Sequence, residues 1–259
     1  MEKYYSINAE GCSVRCKLYS DGREETKTVI LYGHGFGGHK DTRAAERFAR
    51  RVFAKSKGVV LIVFDWPCHG EDARKLLRLE DCSHYLSLVL SDIRKKYPEA
   101  ALYAYATSFG GYLFLKYISE VENPFVKIAL RCPAVNMYQV LTGAVMTEEN
   151  RRLLARGRPA SVGFDRKIEI DRSFLDSLQK ADITEWDYLP LADDLLILHG
   201  TKDEIVPFDA VRAFAENNVI DFIPVEGADH RFQDPGKMDL AIGQIAAFFG
   251  LLPRSGKTL

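Results

Sequence analysis

The chain has 259 residues, of which 47% are hydrophobic and 27% charged, and its formal net charge is -1. This composition is typical of a soluble globular protein with one large core and argues against a disordered chain. A net charge so close to zero gives no general attraction for nucleic acid or an acidic membrane, so no nucleic-acid partner is expected.

The N-terminal residues and the cysteines bear on cellular location. Residues 1–8 lack the apolar run of a signal peptide, and no stretch approaches the roughly 20 apolar residues that a membrane-spanning helix needs. The five cysteines are an odd number in a long chain, which argues against a disulfide framework. We therefore expect a reduced, cytoplasmic protein without a membrane span. Cys12 and Cys16 could begin a metal site, but they fit better as inward-facing residues of a hairpin.

Apolar strand patterns alternate with helical patterns along most of the chain, which predicts a mostly parallel sheet covered by helices on both faces. The first strands, 4–8 and 12–19, are predicted to form an antiparallel hairpin. The strands that follow are predicted at 28–32, 59–64, 102–106, 126–130, 195–198 and 220–225. The helices are predicted at about 41–56, 80–97, 109–120, 207–217 and 235–250, with a frayed tail at 253–259.

The alternation stops between residues 134 and 190, which we interpret as an inserted cap. The cap is predicted to contain a helix at 147–156 and a small hairpin formed by 161–164 and 167–171. The division is then a core of residues 1–133 and 191–259 and a cap of residues 134–190.

Ser108 follows a predicted strand and opens a predicted helix, in the run Ala106-Thr107-Ser108-Phe109-Gly110. A serine on so sharp a turn projects its hydroxyl above the sheet edge, and the turn requires small residues two positions before and after it. Gly110 satisfies this requirement, and Ala106 is small although glycine is more usual there. Ser108 is therefore a candidate nucleophile, the alternative being a simple helix cap.

Asp203 and His230 each follow a predicted strand, as the serine does. Either residue alone would be read as an ordinary loop residue. Because the carboxyl ends of parallel strands meet at one sheet edge, the three side chains should lie close together. Their order in the chain, serine, then aspartate, then histidine, is the one that α/β-hydrolases use for nucleophile, acid and base.

A glycine-rich run, His34-Gly35-Phe36-Gly37-Gly38, follows the predicted strand 28–32. Glycines let such a loop approach a substrate closely, so a backbone N–H of this loop could pair with that of Phe109 in an oxyanion hole. A phosphate-binding loop would end in Gly-Lys-Ser/Thr, and Gly38-His39-Lys40 does not match it. Asp65, at the end of the next strand, is interpreted as a loop-shaping residue.

Together with Phe64-Asp65 through His69-Gly70, these motifs resemble the α/β-hydrolase superfamily over about residues 25–250. Within it, the chain resembles the cinnamoyl/feruloyl-esterase-like and monoacylglycerol-lipase-like branch, often grouped with serine aminopeptidase-like hydrolases. The resemblance implies a catalytic Ser108, Asp203 and His230, an oxyanion hole from the N–H groups of Phe36 and Phe109, and a cap after the sixth strand. Thr107 and Ala106 depart from that branch, where histidine and glycine are common.

The expected reaction is hydrolysis of a carboxylic ester of a small or medium-sized substrate through an acyl-enzyme, with no metal or organic cofactor. Thioester or aminopeptidase-type amide hydrolysis would use the same residues, and a non-catalytic ligand binder is a further alternative. The oligomeric state is left open, a homodimer included. Candidate substrate-binding residues are the aromatic Trp66, Tyr138, Phe164 and Trp186, each of which could equally pack in the core or cap.

The segment 150–172 carries seven basic residues against three acidic ones. A positively charged cap could favour substrates with a carboxylate or phosphate, whereas a solvated outer face is the plainer interpretation.

Overall fold

The computed structural model describes residues 1–9, 11–23 and 25–253. Its strands are β1 (Glu2–Ala9), β2 (Cys12–Ser20), β3 (Thr28–Gly33), β4 (Val59–Phe64), β5 (Ala101–Thr107), β6 (Lys127–Arg131), β7 (Ala160–Val162), β8 (Ile168–Ile170), β9 (Leu195–Gly200) and β10 (Asp221–Val225). Its α-helices are α1 (Arg43–Phe53), α2 (Leu79–Lys96), α3 (Phe109–Glu120), α4 (Met137–Val140), α5 (Glu148–Ala155), α6 (Arg172–Lys180), α7 (Phe208–Asn217) and α8 (Pro235–Phe248). Shorter helical turns are Leu141–Val145, Ile183–Glu185 and Leu189–Asp194.

Eight strands form one sheet in the order β1-β2-β4-β3-β5-β6-β9-β10. The first two strands form the predicted antiparallel hairpin, and β2 pairs antiparallel with β4. Every other pair in this sheet is parallel, so the predicted mostly parallel sheet is confirmed. The carboxyl ends of β3, β5, β6, β9 and β10 therefore meet at one edge, where the loops that carry the candidate residues begin.

The predicted elements differ from the observed ones mainly at their ends. The helix predicted at 41–56 begins only at Arg43, because Thr42 keeps an extended backbone. The strand predicted at 126–130 begins one residue later, since the exposed Val126 precedes the paired residues. From residue 254 onward, the predicted frayed tail lies outside the described residues.

Apolar side chains fill both sides of the sheet. One buried cluster packs helices α2, α3 and α7 on one face, and the other packs α1 and α8 on the opposite face. The strand Val59–Phe64 is buried at every position, as its continuous apolar run predicts. In the part of the chain that the structure describes, no helix is both long enough and apolar enough to cross a membrane.

Residues 134–190, predicted to form an inserted cap, contain helices α4, α5 and α6 and a small antiparallel sheet of β7 and β8, which we call the cap hairpin. The hairpin was predicted, although its strands are shorter than expected. Helix α6 was not predicted; its signal is Asp171, whose carboxylate accepts the Phe174 N–H as an N-cap. Buried side chains of this segment, such as Val162 and Ile170, belong to the same cluster as the α2–α3 face. The segment therefore shares that core, and its assignment as a cap remains a prediction.

Asp65 connects two loops at the edge of the sheet where the parallel strands have their carboxyl ends. Its fully buried carboxylate accepts the N–H of Lys40 at 2.6 Å and the N–H of Glu71 at 2.9 Å. The Lys40 ammonium, itself buried, lies 3.4 Å from the same carboxylate. The interpretation of Asp65 as a loop-shaping residue is confirmed, because it fixes the loop after β3 against the loop after β4.

Asp65→Ala should lower the free energy of unfolding by about 2–5 kcal/mol, because it leaves two backbone N–H groups without their acceptor and removes one of the three carboxylates around the Lys40 ammonium. Asp65→Asn keeps a carbonyl acceptor and should cost less. Urea denaturation of the three proteins measures both effects. A loss below about 1 kcal/mol for the alanine variant would contradict this role.

Candidate active site

Ser108 lies on a tight turn between β5 and α3. Its backbone angles, φ 52° and ψ -119°, are unusual for a residue with a side chain. The turn is held by the Ser108 N–H, which donates to the Arg131 carbonyl at 3.1 Å, and by the Ser108 carbonyl, which accepts the N–H groups of Tyr112 and Ala134. This conformation turns the hydroxyl out from the sheet edge.

The small residues around Ser108 are explained by close backbone contacts. A Cβ at Gly110 would lie 2.5 Å from the Gly33 carbonyl oxygen and 2.7 Å from that of His34, so no larger residue fits there. Ala106 is fully buried, and its Cβ faces Gly33, where a Cβ would lie 3.4 Å away. That distance is an ordinary contact, whereas the same Cβ would lie 2.6 Å from a ring carbon of Phe114, so Gly33 is required by Phe114 rather than by Ala106.

The structure brings Ser108, Asp203 and His230 together. His230 Nδ1 lies 2.7 Å from Asp203 Oδ2, and His230 Nε2 lies 3.0 Å from Ser108 Oγ. These distances form one hydrogen-bonded series from carboxylate to hydroxyl. The series joins residues up to 122 positions apart in the chain. The catalytic roles of the three residues remain predictions.

Asp203 is a buried carboxylate with several donors. Oδ1 accepts the N–H groups of Ile205 and Val206 at 2.9 and 2.8 Å. Burial alone would raise the pKa of Asp203, but the hydrogen bond and charge of His230 and the Val206 N–H outweigh it, so this pKa is lowered. The carboxylate therefore stays ionised and can fix the histidine tautomer.

Two further residues contact this carboxylate, and sequence reasoning had assigned no role to either. His199 Nε2 lies 3.2 Å from Asp203 Oδ2 and 3.0 Å from the Val206 carbonyl. Burial lowers the pKa of His199, so it donates as a neutral imidazole. Its signal in the sequence was its place at the end of β9, four residues before Asp203.

Cys132 is the other residue beside the carboxylate. Its Sγ and one ligand atom each of Asp203 and His230 lie within 4.8 Å of one another, the one cluster of this kind among the described residues. Burial, together with the charge of Asp203, raises the pKa of Cys132 well above its ordinary value. A cation here would have to displace the thiol proton and compete with the hydrogen bond from His230 to Asp203. The expectation that no metal is needed remains a prediction.

The loop after β3 lies directly beside the serine. A Cβ at Gly35 would be 3.2 Å from Ser108 Cβ and 3.7 Å from its Oγ. The rings of Phe36 and Phe109 pack edge to face, with centroids 5.5 Å apart. The two residues predicted to donate N–H groups to an oxyanion are therefore neighbours, and Phe109 opens helix α3, whose N-terminus favours negative charge.

The four candidate aromatic residues lie in different environments. Trp66 is completely buried, and its indole N–H donates to the His34 carbonyl at 3.0 Å, so it supports the loop from the core side. Tyr138 is half-buried on α4. Phe164 is 46% exposed at the cap hairpin, with the Arg231 guanidinium 5.9 Å from its ring. Trp186 is equally exposed, after a turn that packs on α3. The structure does not bring these aromatic residues together as one pocket lining.

Two buried histidines pack behind residues 35–38 of the loop after β3, which we call the Phe36 loop. His34 Nδ1 lies 2.9 Å from the Gly35 carbonyl, and His69 Nδ1 lies 2.8 Å from the Pro67 carbonyl while its ring stacks on Phe109. Burial, the largest cause, lowers the pKa of each histidine to about 3. Both imidazoles are therefore neutral in the folded protein near pH 7.

This burial predicts acid lability. In the unfolded chain a histidine has a pKa of about 6.5, so between pH 6.5 and 3 the unfolded state binds more protons. The folded state is therefore not penalised by these two histidines above pH 6.5, and the free energy of unfolding decreases as the pH falls from 6.5 toward 3. The free energy of unfolding should be about 4 kcal/mol lower at pH 5 than at pH 7, about half from each histidine. His69→Gln should reduce the drop to about 2 kcal/mol, as urea denaturation at both pH values would measure. An undiminished drop in that variant would contradict the assignment.

Comparison with known proteins assigns the chain to a family. Residues 24–164, more than half of the chain, match the family described as Serine aminopeptidase, S33. A structure of Est1E from Butyrivibrio proteoclasticus with ferulic acid bound superposes with a TM-score of 0.76 at 18% identity, covering 95% of this chain and 97% of that one. The esterase domain of a Rhodothermus marinus protein gives 0.70 at 17% identity, covering 96% and 97%.

Alpha/beta hydrolase domain-containing protein 10 from mouse gives a TM-score of 0.68 at 17% identity, covering 96% of this chain and 98% of that chain. At these identities the structural matches establish the fold, and the predicted α/β-hydrolase fold is confirmed. The family match goes further than the fold, because it covers the loop after β3 and Ser108; it ends before β8, Asp203 and His230. The chain belongs to the Serine aminopeptidase, S33 family of α/β-hydrolases.

Proposed function

We propose that this protein is a serine hydrolase that cleaves carboxylic esters of small or medium-sized substrates through an acyl-enzyme on Ser108. The observation that carries the proposal is the hydrogen-bonded series Asp203–His230–Ser108, with its distances of 2.7 and 3.0 Å. Both distances are within reach for proton transfer between a nucleophile and its base. Membership of the family supports a hydrolase activity.

In the first half of the reaction, Ser108 Oγ attacks the ester carbonyl carbon while its proton passes to His230 Nε2. Asp203 accepts a hydrogen bond from His230 Nδ1–H, which holds the required tautomer and stabilises the imidazolium. The N–H groups of Phe36 and Phe109 donate to the oxyanion, and loss of one such donor costs about 3–4 kcal/mol in comparable enzymes. His230 then protonates the leaving alcohol oxygen.

In the second half, His230 takes a proton from water, whose oxygen attacks the acyl-enzyme carbonyl. Collapse of this intermediate releases the carboxylic acid, and the proton returns from His230 to Ser108 Oγ. This cycle consumes one water molecule and requires no metal or organic cofactor.

Amide and thioester hydrolysis would use the same residues. An aminopeptidase must also bind the ammonium group of its substrate, which calls for a free carboxylate near the serine. Asp165 pairs with Arg231 at 3.0 Å, and Glu204 accepts the His230 N–H at 3.2 Å. Asp165 is thus paired with a cation, whereas Glu204 has no cationic partner among the described residues. We favour an ester because two of the similar structures are described as Est1E with ferulic acid bound and as an esterase domain. A non-catalytic binder would not need the series of hydrogen bonds.

Wild-type protein should react covalently with a fluorophosphonate probe, and Ser108→Ala should abolish labelling, because the probe forms a bond to the activated serine oxygen. Labelling is read by gel fluorescence and intact mass. Ser56→Ala, at a serine whose hydroxyl bonds the Leu251 carbonyl, is the control and should still label. Absence of labelling in folded wild-type protein would contradict the proposed function.

A substrate panel then separates the reaction types. p-Nitrophenyl esters of graded chain length, methyl ferulate, an acyl thioester and an aminoacyl amide should be assayed with wild type and Ser108→Ala. We expect the esters to have the highest kcat/KM. Turnover of the amide without turnover of any ester would contradict the proposed esterase activity, but it would leave the proposed roles of Ser108, Asp203 and His230 unchanged.

Asp203→Asn should lower kcat by up to about 10⁴-fold, because an amide in this position favours the wrong histidine tautomer. Asp209→Asn, at an exposed aspartate paired with Arg212, is the matched control and should have kcat near that of wild type. Stopped-flow or initial-rate assays on the best ester measure both. Retention of more than about a tenth of kcat in Asp203→Asn would remove Asp203 from the proposed triad.

A further inference from the structure

The cap hairpin reaches the Phe36 loop through its tip, residues 163–167 between β7 and β8. A Cβ at Gly37 would lie 3.2 Å from the Arg166 carbonyl oxygen and 3.8 Å from Arg166 Cβ. A Cβ at Gly163 would lie 3.6 Å from a ring carbon of Phe36. The backbone of the tip therefore rests on the loop proposed to hold the oxyanion.

The same tip also contacts the loop that carries His230. Asp165 forms an ion pair of 3.0 Å with Arg231, the residue after His230, and Phe164 lies beside the same guanidinium. The tip thus extends from one flank of Ser108 to the other. A substrate bound at Ser108 would lie against residues of this tip.

Most charged groups at and near the tip already have partners. Arg231 pairs with Asp165, and Lys167 donates to the Gly163 carbonyl. Elsewhere in the cap, Arg152 pairs with Glu148 and Arg172 pairs with Asp176 on exposed helix faces. In the described ranges, the Arg166 guanidinium makes neither an ion pair nor a hydrogen bond. It is the cation at the tip that is available to a ligand.

The Arg166 side chain starts beside Gly37, and the charge it carries acts inward. Behind burial, its positive charge contributes to the lowered pKa of both His34 and His69, the histidines under the Phe36 loop. Gly35, which contacts Ser108, is only two residues from Gly37, a span of at most about 7 Å. Arg166 therefore contacts the same short loop as the residue beside Ser108, so a substrate that extends from Ser108 along this loop would reach the tip.

We propose that Arg166 binds a carboxylate carried by the substrate, so that the preferred esters are those with an acidic group several bonds from the scissile carbonyl. A guanidinium matches a carboxylate through two parallel hydrogen bonds. This inference rests on the proposed ester hydrolase activity and names its substrate class. It also assigns a role to one of the seven basic residues of segment 150–172.

The test compares monomethyl adipate, which carries a carboxylate, with dimethyl adipate, its neutral counterpart, by pH-stat titration. Wild type should have the higher kcat/KM per ester group for monomethyl adipate. In Arg166→Gln, the ratio of the two kcat/KM values should fall about 10- to 100-fold, mainly through KM, as expected for loss of hydrogen bonds between charged groups. Arg166→Lys should be intermediate, because it keeps the charge and loses the planar fork.

Arg156→Gln is the matched control, since Arg156 is an exposed cap arginine at the other end of the segment leading to β7. It should leave the ratio as in wild type. A wild-type preference for the diester, an unchanged ratio in Arg166→Gln, or an equal fall in Arg156→Gln would overturn the proposal.

Fluorophosphonate labelling separates failure of this inference from failure of the proposed function. If Ser108 is not labelled, the hydrolase proposal fails and the inference falls with it. If Ser108 is labelled, millimolar adipate should slow labelling of wild type more than that of Arg166→Gln, even when neither methyl ester is turned over. Equal slowing in both proteins would refute the carboxylate site and leave the hydrolase intact.

Discussion

The candidate active site depends on the close approach of two backbone turns, one at Ser108 and one after β3. The Gly110 position is so near the carbonyls of Gly33 and His34 that no side chain fits between them. Ser108 itself holds a sparsely populated backbone conformation, which costs about 1–3 kcal/mol and persists only when its surroundings enforce it. The parallel strands on either side, with their shared hydrogen bonds, supply that enforcement.

Burial of Asp203 is the second constraint, because an ionised carboxylate away from water needs donors on every side. Backbone N–H groups and His230 provide them, while the His199 ring and the Cys132 thiol lie nearby, the thiol with its proton retained. A carboxylate satisfied in this way is rigid, so it holds the His230 ring in one orientation. The hydrogen bond between Asp203 and His230 also joins the loop after β9 to the loop after β10. A change that loosens either loop should therefore also disturb the triad distances.

Much of the secondary structure and the turn at Ser108 could be predicted from the local pattern of residue types. The continuous apolar run of Val59–Phe64 predicts a strand buried on both faces, and the small residues around Ser108 predict a tight turn. Helix α6 was missed, although Asp171 and the apolar Phe174 mark its start. Trp66 was a candidate for the substrate pocket because an aromatic residue in a loop has no periodicity to reveal burial. The fold places it in the core beneath His34.

The sequence by itself determined the alternation of strands and helices, since each element depends on residues close together in the chain. The shared edge of the loops that carry Ser108, Asp203 and His230 then followed from parallel pairing of the strands. Only the tertiary structure decided how the cap hairpin lies. Its tip joins Arg166 to Gly37 and Asp165 to Arg231, pairs separated by long stretches of chain. Such contacts depend on how the hairpin packs against the loops of the sheet, and no pattern of neighbouring residue types specifies which distant residues will meet.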